Sequence, residues 1–381
     1  MLVSKDDKNN IIYHFKPLSE ILKNSTVNFK GGGGNVLFLS LNARCLNSHL
    51  SFLDSHSCLF LANSTLQSTK IALYNENACY IGNKNYFNPQ GFHNVILGER
   101  KNLIIGDECL FSYDIFFRTN DPHLIYESKT NTRINEAKSI LIGDHCWIGQ
   151  DVGLLKGAFV ASGCVLGAKS LTSKTCFSNA VYASNPARCI KKEIFWTSPH
   201  THAFSKAQSK DSFYHKGDEF KFSFEVAKFL PLKLIDEALA NCKSGKERCE
   251  FLYDFIYNNS FKNRFAIFED SNTSSCVLYK DDTKESFARL KESMVLNEAD
   301  EKADEKMDEK WGDEKTANEK AMAEKVESKK AGDEKVLAEK TANKGGCEGQ
   351  DSRLKDAKNS KTKLLKVLKD FLCHKFNPHR A

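Results

Sequence analysis

The sequence lacks any run of about 18 apolar residues, the length that a membrane-spanning helix requires. Its first residues, MLVSKDDKNN, lack the apolar stretch of a secretory signal. It also lacks CxxC motifs, and no paired spacing of Cys and His residues suggests zinc, so its 13 cysteines do not predict a metal site. These absences favour a cytoplasmic protein whose scattered thiols stay reduced.

A strong excess of charge of one sign is also absent. Lys and Arg together number 55 and Asp and Glu 49 among 381 residues, which leaves a formal net charge of +6. Such a small excess does not predict a nucleic-acid partner. The length allows roughly two or three domains of ordinary size.

A strict six-residue period runs through residues 142–171. Aliphatic residues recur at every sixth position, namely Ile142, Ile148, Leu154, Val160 and Leu166. Small or modest residues follow four places after each of them, namely Cys146, Val152, Ala158, Cys164 and Ser170. A hexapeptide period predicts a parallel β-helix, in which aliphatic side chains stack from turn to turn. The alternative is an ordinary β-sandwich with glycine-rich turns.

Changes in pattern divide the chain into segments. The predicted segments are an N-terminal segment (1–30), a β-helix domain (31–195), a mostly helical appendage (196–297), a low-complexity Glu-Lys repeat (298–350) and a basic amphipathic helix (351–381). The pentads of the Glu-Lys repeat form no apolar stripe, which favours a solvated helix or disorder. The last helix is predicted to contact a membrane surface or to dock on the appendage.

An irregular polar stretch, residues 118–141, interrupts the hexads. Loops of this length inside a domain are usually functional or disordered. His123 lies within it close to Asp121, and an imidazole of near-neutral pKa suits a general base. A surface histidine without a catalytic role is the alternative. Trp147 is unusually large for its hexad position, so we expect it to stack on a ligand or to form a subunit contact.

Four stretches carry a family resemblance: NDPHLIYE, RIN, the hexads from SILIGDHCWIG onward, and SNPARCIKK. Together they resemble the hexapeptide-repeat acyltransferases, and more narrowly the bacterial O-acetyltransferases of capsule, lipooligosaccharide or sialic acid sugars. The resemblance is strong over residues 100–195, weaker over 31–99, and does not extend beyond about residue 200. It implies a left-handed parallel β-helix and a homotrimer, with acetyl-CoA bound in the cleft between neighbouring coils.

The resemblance also implies roles for individual residues. His123 becomes the general base for a sugar hydroxyl, Asp121 the residue that orients its ring, and Trp147 a residue of the acceptor or pantetheine cleft. The residues placed along CoA are Lys156, Gly157, Ala168, Lys169, Lys174, Asn185, Pro186 and Arg188. Arg118, Arg133 and His145 are placed on the acceptor side, where the two arginines and Lys129 favour an acidic glycan. His145 is interpreted as structural or as lining the cleft, and not as a second base. No metal is implied.

The sequence departs from the family pattern at Ser184, where the family usually has glycine before Asn-Pro-Ala. This puts the local backbone conformation in question. Three other functions are compatible with a β-helix: N-acetylation of an amino sugar nucleotide, a zinc-dependent hydratase, and a non-enzymatic scaffold. The zinc enzyme needs three converging imidazoles, and His93, His123 and His145 lack close pairing. We expect a cytoplasmic enzyme, either free or in peripheral contact with the inner membrane.

Overall fold

The hexads wind into a parallel β-solenoid in the computed structural model, which describes residues 1–292. Ile142 pairs in parallel register with Val160, and Ile148 pairs with Leu166, so residues three hexads apart lie one above the other. Each turn of the coil contains three short strands, and three sheets form its walls. The predicted mainly β fold with a parallel solenoid is confirmed.

The three walls are named here as sheets I, II and III. Sheet I contains β1 (Leu2–Lys5), β2 (Ile11–His14), β5 (Val36–Leu39), β8 (Cys58–Leu61), β11 (Ala78–Ile81), β14 (Leu103–Ile105), β17 (Ile140–Ile142), β20 (Phe159–Val160) and β23 (Thr175–Cys176). Sheet II contains β3 (Leu22–Lys23), β6 (Arg44–Leu46), β9 (Thr65–Gln67), β12 (Tyr86–Phe87), β15 (Leu110–Phe111), β18 (Trp147–Ile148), β21 (Val165–Leu166), β24 (Val181–Ala183) and β25 (Arg188–Lys191). Sheet III contains β4 (Thr26–Phe29), β7 (His49–Phe52), β10 (Thr69–Leu73), β13 (His93–Leu97), β16 (Phe116–Arg118), β19 (Gly153–Leu155) and β22 (Leu171–Thr172).

The interior of the coil is a column of stacked apolar side chains. Ile105 pairs with Ile142, and Ile142 with Val160, so one ladder of aliphatic residues runs across the irregular stretch without a break in register. Cys146 and Cys164 are completely buried inside the coil, where their hexad positions predict small residues. Burial of each aliphatic side chain contributes about 1.5–3 kcal/mol, which explains why the register is strictly maintained.

The N-terminal residues are part of the solenoid. Strand β2 pairs in parallel with β5, and β4 pairs in parallel with β7. Only β1, which pairs with β2, and β25, which pairs with β24, run antiparallel among the described strands. The coil therefore begins well before residue 31, because the short apolar run at Ile11 to Tyr13 supplies its first turn.

Sheet I is buried on both of its faces. Strands β5, β8 and β11 are buried at every position, whereas β7 and β13 alternate between buried and accessible residues. On the outer face Phe38 stacks on Phe60 with ring centroids 4.2 Å apart, and Tyr80 follows in the same ladder. A strand that is covered on both sides carries a continuous apolar run, and the segments VLFL and CLFL have this pattern.

The appendage covers this outer face of sheet I. Its helical elements are α2 (Lys206–Asp211), α3 (Leu232–Asn241), α4 (Gly245–Phe251), a π-helical segment (Leu252–Tyr257) and α5 (Phe287–Glu292), while α1 (Leu18–Ile21) belongs to the first turn of the coil. Ser244 caps α4 by accepting a hydrogen bond from the backbone of Glu247 at 3.2 Å. The helix then begins at Gly245, where a Cβ atom would meet the carbonyl oxygen of Gly34 at 2.5 Å. Residues 1–292 thus belong to one compact unit.

The ring of His93, at the start of β13, is completely buried and meets Phe87 edge-on. Its Nε2 lies 3.3 Å from the carbonyl oxygen of Asn88, while its Nδ1 has no partner among the described residues. Burial lowers the pKa of His93 from 6.5 to about 4. The imidazole is therefore neutral at physiological pH and unavailable to a substrate.

We expect His93 to make the protein sensitive to acid. The folded-state pKa of His93 lies below the unfolded-state value, so the unfolded chain binds the extra proton as the pH falls from 6.5 towards 4. The free energy of unfolding should fall by roughly 3 kcal/mol over this window. Urea unfolding of wild type and His93→Gln should show the variant gaining relative stability by that amount. A pH-independent difference between the two proteins would contradict the expectation.

No helix within residues 1–292 is long and apolar enough to cross a membrane. The predicted Glu-Lys repeat (298–350) and the predicted basic amphipathic helix (351–381) lie outside the described residues.

Candidate functional site

The irregular stretch leaves the coil after Arg118, at the end of β16, and returns to it at Ile140 in β17. Asn135, which is nearly completely buried, organises this loop. Its side-chain amide donates to Asp121 Oδ2 at 3.0 Å and to the carbonyl oxygen of His123 at 2.8 Å. Its Oδ1 accepts from the backbone of Ile125 at 2.9 Å. A single side chain therefore ties both arms of the loop together beside His123.

Lys156, from the turn after β19, anchors the loop to the coil. Its ammonium group donates to Asp121 Oδ2 at 2.5 Å and to the carbonyl oxygen of Asn135 at 3.1 Å. The hydrogen bonds from Lys156 and Asn135 lower the pKa of Asp121. The carboxylate of Asp121 is thus engaged in holding the loop, and its predicted role in orienting or tuning the ring of His123 stays a prediction.

The imidazole of His123 is exposed at the tip of this anchored segment. Its backbone carbonyl is held by Asn135, but no described side chain or backbone group hydrogen bonds to its ring. A general base needs a fixed backbone and an accessible nitrogen, and His123 has both.

A cleft of about 880 Å³ lies beside the loop. The charged residues that line it are Arg118, Arg133, Lys138, Lys156, Lys174, Asp121 and Glu136. Arg133 pairs with Glu99 at 2.8 Å, and Lys156 pairs with Asp121. Arg118, Lys138 and Lys174 have no ion-pair partner in the part of the chain that the structure describes. The carboxylate of Glu136, which is also unpaired there, offsets one of these three cations, and the remaining excess of positive charge makes the cleft suitable for an anionic ligand.

Trp147 lies in β18 of sheet II, between Leu110 and Val165 of the neighbouring strands. Its side chain is 43% exposed, which is unusual for a residue of this size. Neither Trp147 nor His123 is among the residues that line the cleft beside the loop.

His145 is buried in the described chain, which agrees with a structural role, and its placement on the acceptor side stays a prediction. Its ring is buried between Trp196 and Phe220, with centroid distances of 4.2 and 4.4 Å. Its Nε2 lies 3.0 Å from the carbonyl oxygen of Trp196, and burial lowers the pKa of His145. The strong resemblance ends at residue 195, so it could not indicate that Trp196 and Phe220 cover the ring of His145.

The residues predicted along CoA fall into two groups. Lys156 and Lys174 line the cleft, and Gly157, with φ of +85°, lies next to Lys138 at its edge. The second group, Ala168, Lys169, Asn185, Pro186 and Arg188, lies near the C-terminal end of the coil, in the turns beside β21 and β24 and at the start of β25. There Lys169 pairs with Asp151 at 3.0 Å.

Ser184 keeps a backbone conformation that glycine favours. Its φ of +81° lies in the left-handed region, and its hydroxyl donates to the carbonyl oxygen of Pro186 at 3.0 Å. The serine therefore does not displace the turn that precedes Asn185 and Pro186. No group of three or more His, Cys, Asp or Glu side chains within residues 1–292 is arranged to hold a metal ion.

No protein-family model matches the sequence. Over 120 residues the chain is 28% identical to a polysialic acid O-acetyltransferase of Escherichia coli O1:K1 / APEC, a match that covers 32% of this chain and 39% of that relative. The chain thus spans well under half the length of the curated relative that it matches.

Two solved structures are also similar. A polySia-specific acetyltransferase is 28% identical, with 50% of this chain and 89% of that chain covered and a TM-score of 0.45. A second polysialic acid O-acetyltransferase is 22% identical, with 55% of this chain and 98% of that chain covered and a TM-score of 0.39. The sequence match confirms the resemblance predicted from the sequence, and the chain is a parallel β-solenoid that is similar in sequence to a polysialic acid O-acetyltransferase.

Proposed function

We propose that the protein transfers the acetyl group of acetyl-CoA to a hydroxyl group of a bacterial surface glycan. The observation that carries this proposal is the exposed ring of His123 on a loop that Asn135, Asp121 and Lys156 hold beside a cationic cleft. The related polysialic acid O-acetyltransferase supports the same reaction class.

In this reaction His123 removes the proton from the acceptor hydroxyl as its oxygen attacks the thioester carbonyl carbon. The carbon–sulfur bond then breaks, and the proton held by His123 passes to the departing CoA sulfur. A backbone N–H group of the coil stabilises the negative charge that develops on the carbonyl oxygen. Asp121 keeps the loop in place through Lys156, because its carboxylate is already committed to that ammonium group.

Acetyl-CoA is the proposed co-substrate. Lys156, Gly157 and Lys174 would receive its thioester arm or phosphates at the cleft. Ala168, Lys169, Asn185, Pro186 and Arg188 would follow its course towards the nucleotide at the end of the coil. Cationic side chains suit the phosphates of CoA because hydrogen bonds between ionised partners are the stronger ones.

We also propose that the active protein is a homotrimer, in which a neighbouring subunit supplies Trp147 opposite His123. Exposed apolar side chains cluster on the loop itself, namely Leu124, Ile125, Tyr126 and Ile134. Contiguous exposed apolar groups mark surfaces that are covered by a partner. Light scattering of the active protein tests the assembly, and a monomer with full transferase activity would contradict it.

A reducing cytoplasm suits the chain. All eleven cysteines among the described residues are free, and most of them are buried. Unpaired buried thiols are typical of cytosolic proteins. Acetyl-CoA is then available at the proposed site of action. The basic segment at the C-terminus would hold the enzyme near membrane-linked glycan, which liposome sedimentation with and without residues 297–381 would test.

The uncompensated cations of the cleft favour an acidic acceptor. Arg118→Gln should raise the KM for a sialylated glycan about tenfold, because a charge-assisted contact is typically worth 1.5–3 kcal/mol, while the KM for a neutral sugar changes little. Lys84→Gln, which removes an exposed cation outside the cleft, is the matched control. An equal effect of Arg118→Gln on neutral and acidic acceptors would argue against this charge preference.

The transfer reaction can be tested with isotopically labelled acetyl-CoA and a panel of sialylated glycans, neutral oligosaccharides and amino sugar nucleotides. We expect label in an ester that hydroxylamine cleaves. Label in a hydroxylamine-resistant amide would support N-acetylation instead. Absence of both transfer and CoA binding would overturn the proposed function and favour a scaffold.

A further inference from the structure

The appendage places one of its aromatic rings next to the indole of Trp147. The ring of Trp196 lies 5.9 Å from that of Trp147 at an angle of 46°. Trp196 is almost completely buried, whereas Trp147 is 43% exposed. One indole therefore provides a fixed surface against which the exposed indole rests.

Trp196 is itself locked to the coil by His145. The two rings are parallel to within 10°, and Phe220 covers the opposite face of the imidazole. Trp196 Nε1 donates to the carbonyl oxygen of His145 at 2.9 Å, and His145 Nε2 is bonded to the carbonyl oxygen of Trp196. Two hydrogen bonds and a three-ring stack leave Trp196 one orientation.

The residue before His145 is fixed from the same side. Arg264 of the appendage donates to both carboxylate oxygens of Asp144, at 2.7 Å from Nη2 and 3.0 Å from Nε. Asp144 also receives the backbone N–H of Asp107 at 2.7 Å, so this carboxylate is held by both the coil and the appendage. The conformation of the segment from Asp144 to Trp147 thus depends on residues that lie outside the hexads.

An exposed indole without a neighbouring ring has several side-chain rotamers. Ligand binding must then select one of them at an entropic cost. Strand β18 fixes only the backbone of Trp147. The contact from Trp196 restricts the side chain before the ligand arrives. This is a role that the packing of the appendage on sheet I does not require, because Trp147 lies on sheet II.

We propose that Trp196 is a positioning residue that holds the indole of Trp147 in its ligand-binding orientation. The appendage would then be a component of the acyltransferase site and not a separate accessory unit. This inference rests on the proposed function only in its kinetic consequence, since the orientation of Trp147 can be measured without turnover.

The first test measures the mobility of Trp147 directly. In a Trp311→Phe background, the full chain with Trp196→Phe or Trp196→Ala retains Trp147 as its single tryptophan. Time-resolved anisotropy should show fast local motion of Trp147 in Trp196→Ala, at least twice the amplitude found in Trp196→Phe, which retains a ring against His145. Equal amplitudes in the two variants would overturn the inference, even if the protein had no transferase activity.

The second test is a double-substitution cycle in kcat/KM. Trp147→Ala and Trp196→Ala should each lower kcat/KM by about tenfold, and the double variant should be no worse than Trp147→Ala, because Trp196 acts through Trp147. Phe195→Ala, in the same segment but in contact with His215, should leave kcat/KM unchanged. Multiplication of the two losses in the double variant would show a purely structural role. If Trp196→Ala fails to fold, the cycle is completed with Trp196→Phe, for which a smaller loss with the same non-additivity is expected.

Discussion

Replacement of His123 by alanine is expected to lower kcat by about 10²–10⁴-fold, the usual contribution of a positioned general base. The exposed ring makes no hydrogen bond with the described residues, so its removal should not alter folding or assembly. The affinity for CoA should change little, because the proposed role of His123 is to take the proton of the acceptor hydroxyl. Steady-state kinetics with a saturating acceptor and calorimetric titration with CoA measure the two effects separately.

His202→Ala is the matched control, because it removes another exposed imidazole from the appendage, outside the loop. Its kinetic constants should equal those of wild type. Near-wild-type turnover of His123→Ala would show that the general base does not lie on this loop. Neither His93 nor His145 could then take over the role, because both rings are buried and the pKa of each is lowered by burial.

Arg264→Met should destabilise the fold by roughly 3–5 kcal/mol, the typical cost of leaving a buried charge without its partner. Arg264 is 1% exposed and pairs with Asp144 and with Asp107, the latter at 3.0 Å. Its other Nη atom donates to the carbonyl oxygens of Ile256 and Asn259. Methionine fills similar space but removes the guanidinium from both carboxylates and from both carbonyls, so the carboxylates keep only neutral donors, such as the backbone N–H of Asp107 on Asp144. Urea unfolding at pH 7 measures the loss.

The charge, and not the volume, should dominate this effect. Arg264→Met combined with Asp144→Asn should therefore be less destabilised than the sum of the two single variants. Lys192→Met removes a cation from an exposed pair with Glu269 and should change stability little. A loss from Arg264→Met no larger than that from Lys192→Met would show that the buried cluster does not hold the appendage to the coil.

The solenoid could be predicted from the sequence because aliphatic residues recur at every sixth position. Ile142, Ile148 and Leu154 each occupy an equivalent inward position, and stacking permits only apolar side chains there. The same logic located the loop, since residues 118–141 carry no period. The missing period did not identify Asn135 as the centre of that loop, although Asn135 lies in the RIN stretch. A single amide side chain forms no sequence pattern, and its role is seen only from its four hydrogen bonds in the structure.

The environment of His145 could not be predicted for a different reason. It depends on Trp196 and Phe220, which are distant in sequence and lie in a segment without hexads. A signal for a cover on sheet I was nevertheless present. The continuous apolar strands VLFL and CLFL contain more buried positions than the inside of a coil can accept. The appendage was predicted as a mostly helical unit, but its helices are short, because much of it runs as irregular chain across the sheet.

The two-sided burial of sheet I has a consequence for synthesis. Phe38 and Phe60 complete their outer contacts only when Tyr253 and Phe287 arrive, more than 190 residues later in the chain. At about 5–20 residues per second, the growing coil displays this aromatic ladder to the cell for roughly ten seconds or more. We therefore expect the nascent chain to bind chaperones during that interval. A chain whose synthesis ended before residue 253 would keep this apolar surface exposed and would be prone to aggregate.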